Sequence, residues 1–286
     1  MISSMAHAVE SSPERAVSQK RLEQLAHARN KKTQLNTRLA ARVKENNLLL
    51  WIYKFGFSSP EVVRHVVNDA SGRVVKRLIN RGLVETYLPP MGHVTGLFGC
   101  RFQLLILTSL GLGVARGLTV DVLHYQEIHH SKINFRQAGH ILEIQLAVNR
   151  YMQGTFFSDF QTERQQAQKS IKGIKRFDAV LVRMNGEKFG LEVETSRKVS
   201  RELDETQARL YSALQERKPD NSFNYRGIFY LAHPSIFENY SKKFASGAQV
   251  YEYVKNSAGS YVRSNVIAVI SKEISERIRI EKIQGY

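Results

Sequence analysis

The chain has 286 residues, 42% of them hydrophobic and 24% charged, which is the composition of a folded globular chain and not of a disordered one. No apolar run reaches the ~18–20 residues of a membrane span, the N-terminus lacks an apolar signal segment, and one cysteine, Cys100, excludes disulfide scaffolds and thiolate zinc sites. Lys plus Arg number 42 against 26 Asp plus Glu, a net charge of +16, so a polyanionic partner is expected, nucleic acid first, in a cytoplasmic setting.

Residues 1–14 are polar and Ser-rich. Between Arg15 and Lys44, nine cations face one acid, Glu23. The segment 1–44 reads as a basic arm able to lie on phosphates, or as a solvated leader. Residues 46–55 (NNLLLWIYKF) have the apolar density of a buried helix, ended by Gly56. Ser58-Ser59-Pro60-Glu61 is a helix start, with a serine cap, a proline in the first turn and an acid at the positive end of the dipole. A short helix over Pro60–Val67 follows. Asp69 is placed to cap a third helix, Ala70–Arg81, whose Val74, Val75, Leu78 and Ile79 recur at helical spacing. Arg73, Lys76, Arg77 and Arg81 occupy its other face with no acid among them. Gly82 follows as a C-terminal cap. Leu83–Tyr87 alternates as a strand and Phe102–Leu107 returns as its partner, before Thr108-Ser109-Leu110-Gly111 opens another helix. Three helices and a two-stranded ribbon over 45–116 form the pattern of a winged helix-turn-helix, with the third helix as the reader of duplex DNA. The alternative is a helical adaptor with a solvated charged face. Residues 117–134 read as a linker; its His124, His129 and His130 lack the spacing and partners of a metal site.

From 135 to 286 the pattern is mixed α and β. Phe135–Met152 is predicted as a helix, Thr155–Thr162 as a strand, Lys169–Lys175 as a basic loop and Phe177–Met184 as a second strand. Asn185-Gly186 is a hairpin turn, and Lys188–Thr195 is the third strand. A helix over Arg201–Glu216, a strand over Tyr225–His233, a helix over Ser235–Ser246 and strands over Gln249–Val254 and Val266–Ser271 complete the reading. Alternation in the third strand puts Leu191 and Val193 toward the core and Glu192, Glu194 and Lys188 on the other face. The hairpin brings Asp178 toward Glu192 or Glu194. Clustered carboxylates repel unless a proton or cation lies between them, and Mg²⁺, or Mn²⁺, suits hard oxygen ligands completed by water and phosphate. An ordinary hairpin face with alternating Glu and Lys is the competing reading.

Asp178 followed by Glu192-Val193-Glu194 resembles the PD-(D/E)XK motif of the restriction-endonuclease-like nucleases, and the order helix, three strands, helix, strand is similar to their core. Glu163 stands where many members place an additional acid. Gln207-Ala208-Arg209-Leu210-Tyr211 is similar to the Gln-x-x-x-Tyr motif beside the site in RecB-type members. With the N-terminal winged helix, the chain resembles the replication-relaxation family and the related MobC-type plasmid mobilisation relaxases. The residues that carry this resemblance are Gly82–Glu85, Leu107–Gly111, His140, Glu163, Arg176–Val180 and Leu191–Glu194, within 45–235.

The resemblance implies metal-dependent nicking of DNA at an origin of transfer or replication. Asp178 and Glu192 would be the metal ligands, with Glu163 and Glu194 behind them, and Gln207 and Tyr211 would hold the strand. Arg73, Lys76, Arg77 and Arg81 would dock the duplex. Its partners would be origin DNA, as duplex or single strand, and an accessory mobilisation or coupling protein. The motif's lysine position holds Glu194, so the cation must come from Lys188 on the same face or Lys198 just beyond the strand, or be missing. If it is missing, the chain is a non-catalytic replication or transfer regulator on a degenerate nuclease fold; a restriction or repair nuclease is the third reading. No Gly-x-x-x-x-Gly-Lys-Ser/Thr loop or His-apolar-His cluster occurs, which excludes a P-loop motor and the histidine-metal type of relaxase. Neither the oligomeric state nor a nucleophile among the twelve tyrosines follows from the sequence.

Overall fold

The computed structural model describes residues 36–89, 103–120, 133–169 and 176–283. The basic arm before 36, residues 90–102 between the two ribbon strands in sequence, the histidines at 124, 129 and 130, and the basic loop at 170–175 lie outside them.

The first helix, α1, covers 36–55, so it takes in the end of the basic segment. Leu48, Leu49, Ile52 and Tyr53 are buried on one side of it. Gly56, at φ 96°, turns the chain out of the helix in a backbone region that favours glycine. Ser59 then caps α2 (Pro60–Val66), its Oγ accepting the Val62 N–H at 3.3 Å. Helix α3 (Arg73–Asn80) starts three residues later than its sequence pattern implies, because Gly72 takes a left-handed conformation as its N-cap. Asp69 still satisfies a helix donor, accepting the Val74 N–H at 2.7 Å. Val74 and Leu78 are buried, whereas Ile79, expected inside, is exposed. Strand β1 (Val84–Tyr87) pairs antiparallel with β2 (Leu104–Leu107), Val84 facing Leu107. Helix α4 (Ser109–Gly117) is capped by Thr108, whose Oγ accepts the Gly111 N–H at 3.0 Å. A Cβ on Gly111 would lie 1.9 Å from the Leu83 carbonyl oxygen, so only glycine lets α4 close onto the ribbon.

The remainder is built on a five-stranded sheet. Helix α5 (Phe135–Met152) leads into β3 (Asp159–Thr162), α6 (Glu163–Lys169), β4 (Ala179–Val182) and β5 (Lys188–Glu194). Helix α7 (Ser200–Gln215) crosses to β6 (Gly227–Ala232), and α8 (Phe237–Phe244) follows. A ribbon of β7 (Gln249–Lys255) and β8 (Tyr261–Val269), then α9 (Lys272–Glu276) and β9 (Ile278–Lys282), end the described chain. The sheet order is β3-β4-β5-β6-β9. Strand β4 is antiparallel to both β3 and β5; β6 is parallel to β5 and β9 to β6. The Asn185-Gly186 turn closes the β4–β5 hairpin, with Gly186 at φ 82°. A parallel pair needs a crossover, which α7 provides.

Three short elements, α6, α9 and β9, carry too little pattern to announce themselves. The two late strands expected in the domain form the separate β7–β8 ribbon, and β9 takes the sheet edge instead.

The sheet is covered on both sides. Ala179, Leu181, Leu191, Val193 and Leu231 pack with Ile144, Ala147 and Val148 of α5 and with Trp51 and Phe55 of α1. Val180, Ile228 and Tyr230 pack with Leu210 and Leu214 of α7 and Tyr240 and Phe244 of α8. The result is a mixed α/β architecture in which no described helix is long and apolar enough to cross a membrane.

The N-terminal helices share their core with this layer. Buried Gln145 of α5 accepts from the Trp51 indole at 2.8 Å and the Ser58 hydroxyl at 2.6 Å, and donates to the Phe57 carbonyl at 2.9 Å. A buried amide with its bonds made fixes the relative position of α1, α2 and α5, because moving any of them strands a polar group.

Candidate functional site: a carboxylate cluster at the end of β5

Asp178 sits one residue before β4, where the approach to the strand is held from two directions. The Gln166 side chain of α6 donates to the Phe177 carbonyl at 2.8 Å and accepts the Phe177 N–H at 3.0 Å. The Phe177 ring lies over Gly190 of β5, where a Cβ would come within 2.4 Å of it. Asp178 Oδ2 in turn accepts the Val193 N–H at 2.8 Å. The last registered pair of the hairpin is Ala179 opposite Leu191, so one step further puts Asp178 beside Glu192. Side chains directly opposite on antiparallel strands have Cβ atoms about 4.5–5.5 Å apart.

Glu192 and Glu194 are both 7% exposed. The face that carries them is therefore a covered one, with α7 and α8 packed on that side of the sheet, and not the solvated hairpin face of the competing reading. Tyr230 stands opposite Glu192 on β6. Its hydroxyl is driven far above the usual tyrosine range, first by burial and then by the charges of Glu194, Glu192 and Asp178 and by Tyr240. All three carboxylates are thus in electrostatic reach of the Tyr230 hydroxyl. Tyr240, its ring tilted against the Tyr230 ring at 5.3 Å, is pushed up to about 12, by burial first and then by Glu194. Neither phenol ionises readily, which makes both poor nucleophiles and poor bases.

Lys198, in the loop after β5, forms an ion pair with Glu194. His140 of α5 brings its Nε2 to 4.0 Å from Asp178 Oδ2. Burial lowers the His140 pKa, outweighing the upward pull of Glu194 and Glu192, so the imidazole is neutral at pH 7. Glu163, the first residue of α6, is in electrostatic reach of His140, with its carboxylate 3.8 Å from Arg176.

Of the sequence candidates, Asp178, Glu192, Glu194 and Lys198 come together, with His140 against them and Glu163 at the margin. Lys188 does not join them. It opens β5 opposite Val182, six residues from Glu194, about 20 Å along the strand at ~3.3 Å per residue. Gln207 is fully buried and its Nε2 donates to the Lys243 carbonyl, so it holds α8 rather than facing a strand. Tyr211 is half-buried against the core beneath α7. Gln166 was missed; it stands in ERQQAQK, where an amide that clamps a distant backbone leaves no local pattern.

The cationic helix α3 also differs from its sequence reading. Buried Glu45 of α1 accepts from Arg77 at 2.7 Å and Arg81 at 2.6 Å, so the acid missing from the helix arrives from another one. Arg73 and Lys76 remain exposed on α3.

Among the described residues, no group of three or more His, Cys, Asp or Glu side chains is placed to hold a metal ion. Mg²⁺ does not require such a group, since it binds through one or two carboxylates and keeps several waters. Asp178, Glu192 and Glu194 bring carboxylate oxygens to the end of β5, with Lys198 paired to Glu194 and His140 against Asp178. Carboxylate oxygens are the donors that a hard divalent cation takes. Compared with known proteins, the chain matches no family model, no curated protein and no solved structure.

Proposed function

We propose that the chain is a metal-dependent DNA nicking enzyme of a mobile element, related to the replication-relaxation and MobC-type relaxases. The reading rests on one observation above all: Asp178 is hydrogen-bonded to the strand that carries Glu192 and Glu194, and Lys198 is paired to Glu194. The sheet supports it. A helix, three antiparallel strands, a helix and a parallel strand, as in α5, β3, β4, β5, α7 and β6, is the order expected for the PD-(D/E)XK core. Helices α1 to α3 and the β1–β2 ribbon, with Arg73 and Lys76 exposed, support a winged-helix reader of duplex DNA.

Asp178 and Glu192 would hold a divalent cation, and Glu163 stands at the edge of reach. When bound, that ion would acidify a water and neutralise charge on the scissile phosphate. Val193 N–H fixes Asp178, and Gln166 fixes the backbone before it, so the carboxylate is preorganised. Lys198 supplies the cation that the motif places at Glu194, and Glu194 holds that lysine at the site instead of replacing it. Neutral His140 presents a ring nitrogen toward Asp178, able to orient a water or take a proton.

A second reading has a specific observation behind it. The Lys198–Glu194 pair could serve only to neutralise a buried acid, in which case the chain is a DNA-binding regulator on an inactive nuclease fold. Incubation of negatively supercoiled plasmid carrying the origin with Mg²⁺ or Mn²⁺ separates the two. Open circles from the parent and none from Asp178→Asn support the nicking enzyme. Supercoiled DNA left intact by the parent supports the regulator, and linear product from both-strand cutting supports a restriction or repair nuclease.

A further inference from the structure

Next to the carboxylate cluster, the start of α7, helix α8 and the β7–β8 ribbon enclose a cleft of about 790 Å³. Arg197, Lys198, Lys242, Lys243 and Arg263 line it, and among the described residues no acid does. Behind the lining residues, Asp204 of α7 is fully buried. Asp204 accepts from Lys243 of α8, from Arg263 of β8 and from the Tyr253 hydroxyl of β7, the last at 2.8 Å. Burial alone would raise its pKa, but those hydrogen bonds prevail and hold the carboxyl below the usual range. Asp204 is therefore ionised at neutral pH and fixes the two cations in place. The Tyr251 ring lies in the cleft wall, with the Arg263 guanidinium 4.0 Å above it. Lys198 belongs to both places: it lines the cleft and pairs with Glu194, so one side chain joins the cleft to the cluster.

Five cations against the two carboxylates they touch, Asp204 and Glu194, leave three positive charges around a concave wall. A polyanion is the chemistry that recognises such a surface. The shape selects the form of that polyanion. The ion pairs at Asp204 tie α7, α8 and β8 to one another within side-chain reach, so the cleft cannot widen without breaking a buried ion pair. Its volume is that of a site for small ligands, roughly 300–1,000 Å³, and not of a groove that seats a duplex. Alternating cations and an aromatic ring are what single strands bind, phosphates to the cations and a base to the ring.

We propose that this cleft holds one strand of DNA by its phosphodiester backbone and carries it to or from the carboxylate cluster. The role in strand delivery rests on the nicking function proposed above; the binding does not. Arg197 and Lys242 are the residues to change, because both are exposed and neither supports Asp204.

The test is fluorescence anisotropy of a labelled oligothymidylate about twelve nucleotides long, with the full chain in EDTA, for the parent and for Arg197→Glu/Lys242→Glu. A matched thermal melt verifies the fold. Two lost phosphate contacts should make the salt slope shallower by about 1.4 and weaken single-strand binding ~10-fold or more near 100 mM salt. A blunt hairpin duplex should lose about twofold or less, since α3 is its reader. Unchanged single-strand affinity and slope overturn the proposal, as does an equal loss on duplex and single strand. EDTA removes cleavage from the measurement. A chain that binds the strand here but never nicks keeps this proposal and loses the nuclease. A chain that nicks but whose double variant binds as the parent does loses this proposal alone.

Discussion

Gly190→Ala tests how Asp178 is held. A Cβ at this position would lie 2.4 Å from Cε1 of Phe177 and 2.6 Å from Cδ1 and Cζ. Relaxed carbon contacts are about 3.5–4.0 Å, so the ring must move by roughly 1 Å or more. It has nowhere to go. Phe177 is 0% exposed, its ring meets Tyr225 edge-on at 4.8 Å, and Gln166 clamps its N–H and carbonyl. Gly190 cannot yield either, because it is registered with Val180 on one side and Ile228 on the other. Overpacking of this kind costs about 1–3 kcal/mol, and the closed surroundings place this case at ~2–3. At about 2–4 °C per kcal/mol for a domain of this size, the melting temperature should fall by ~4–12 °C. Circular dichroism melts of Gly190→Ala, Phe177→Leu and the double variant read the effect. The smaller side chain makes room for the new methyl, so the double variant should lose less than the two singles together, by about 1 kcal/mol or more. A Gly190→Ala melt within about 1 °C of the parent would refute the reasoning.

The borrowed cation gives a sharper contrast. Lys198→Ala should slow nicking by ~10-fold or more, while Lys188→Ala, a strand length away, should change it by less than about twofold; equal effects in a plasmid time course would sink the assignment. The half-buried acid of α5 gives a pH dependence. Burial raises the Glu143 carboxyl from 4.5 to about 7, so the folded state holds that proton more tightly than the unfolded chain does. Its stabilisation is complete below the unfolded value and is lost as pH rises through about 7. Glu143→Gln should therefore gain on the parent in urea unfolding as pH rises from about 5 to about 8, whereas a difference independent of pH would contradict the burial account.

Much of the site could be read from local patterns. The Asn185-Gly186 turn fixes the β4–β5 hairpin, and the hairpin alone brings Asp178 to Glu192. The Phe135–Met152 helix and the Ser59 cap were also legible, because periodicity and capping are local signals. What the local pattern does not carry is what depends on distant partners. Leu191-Glu192-Val193-Glu194 has the alternation of a half-solvated strand, and a buried carboxylate looks the same in sequence as an exposed one. Glu45 lies 32 and 36 residues from the arginines it neutralises, so α3 looked more available than it is. Lys188 satisfied the parity of the strand face but not the distance, which depends on where along β5 the cluster sits. The cleft draws on residues from Arg197 to Arg263 and exists only once α7, α8 and the ribbon have met at Asp204.

The most direct test of the central claim is metal binding by the folded chain. Titration of Mn²⁺ followed by electron paramagnetic resonance should show bound ion with the parent. Asp178→Asn and Glu192→Gln should each weaken that binding ~10-fold or more, the scale on which loss of a direct or supporting ligand acts. Both variants should melt as folded proteins. Mn²⁺ that stays free beside the parent, or binds as well to both variants, would contradict a metal-dependent site at Asp178 and Glu192.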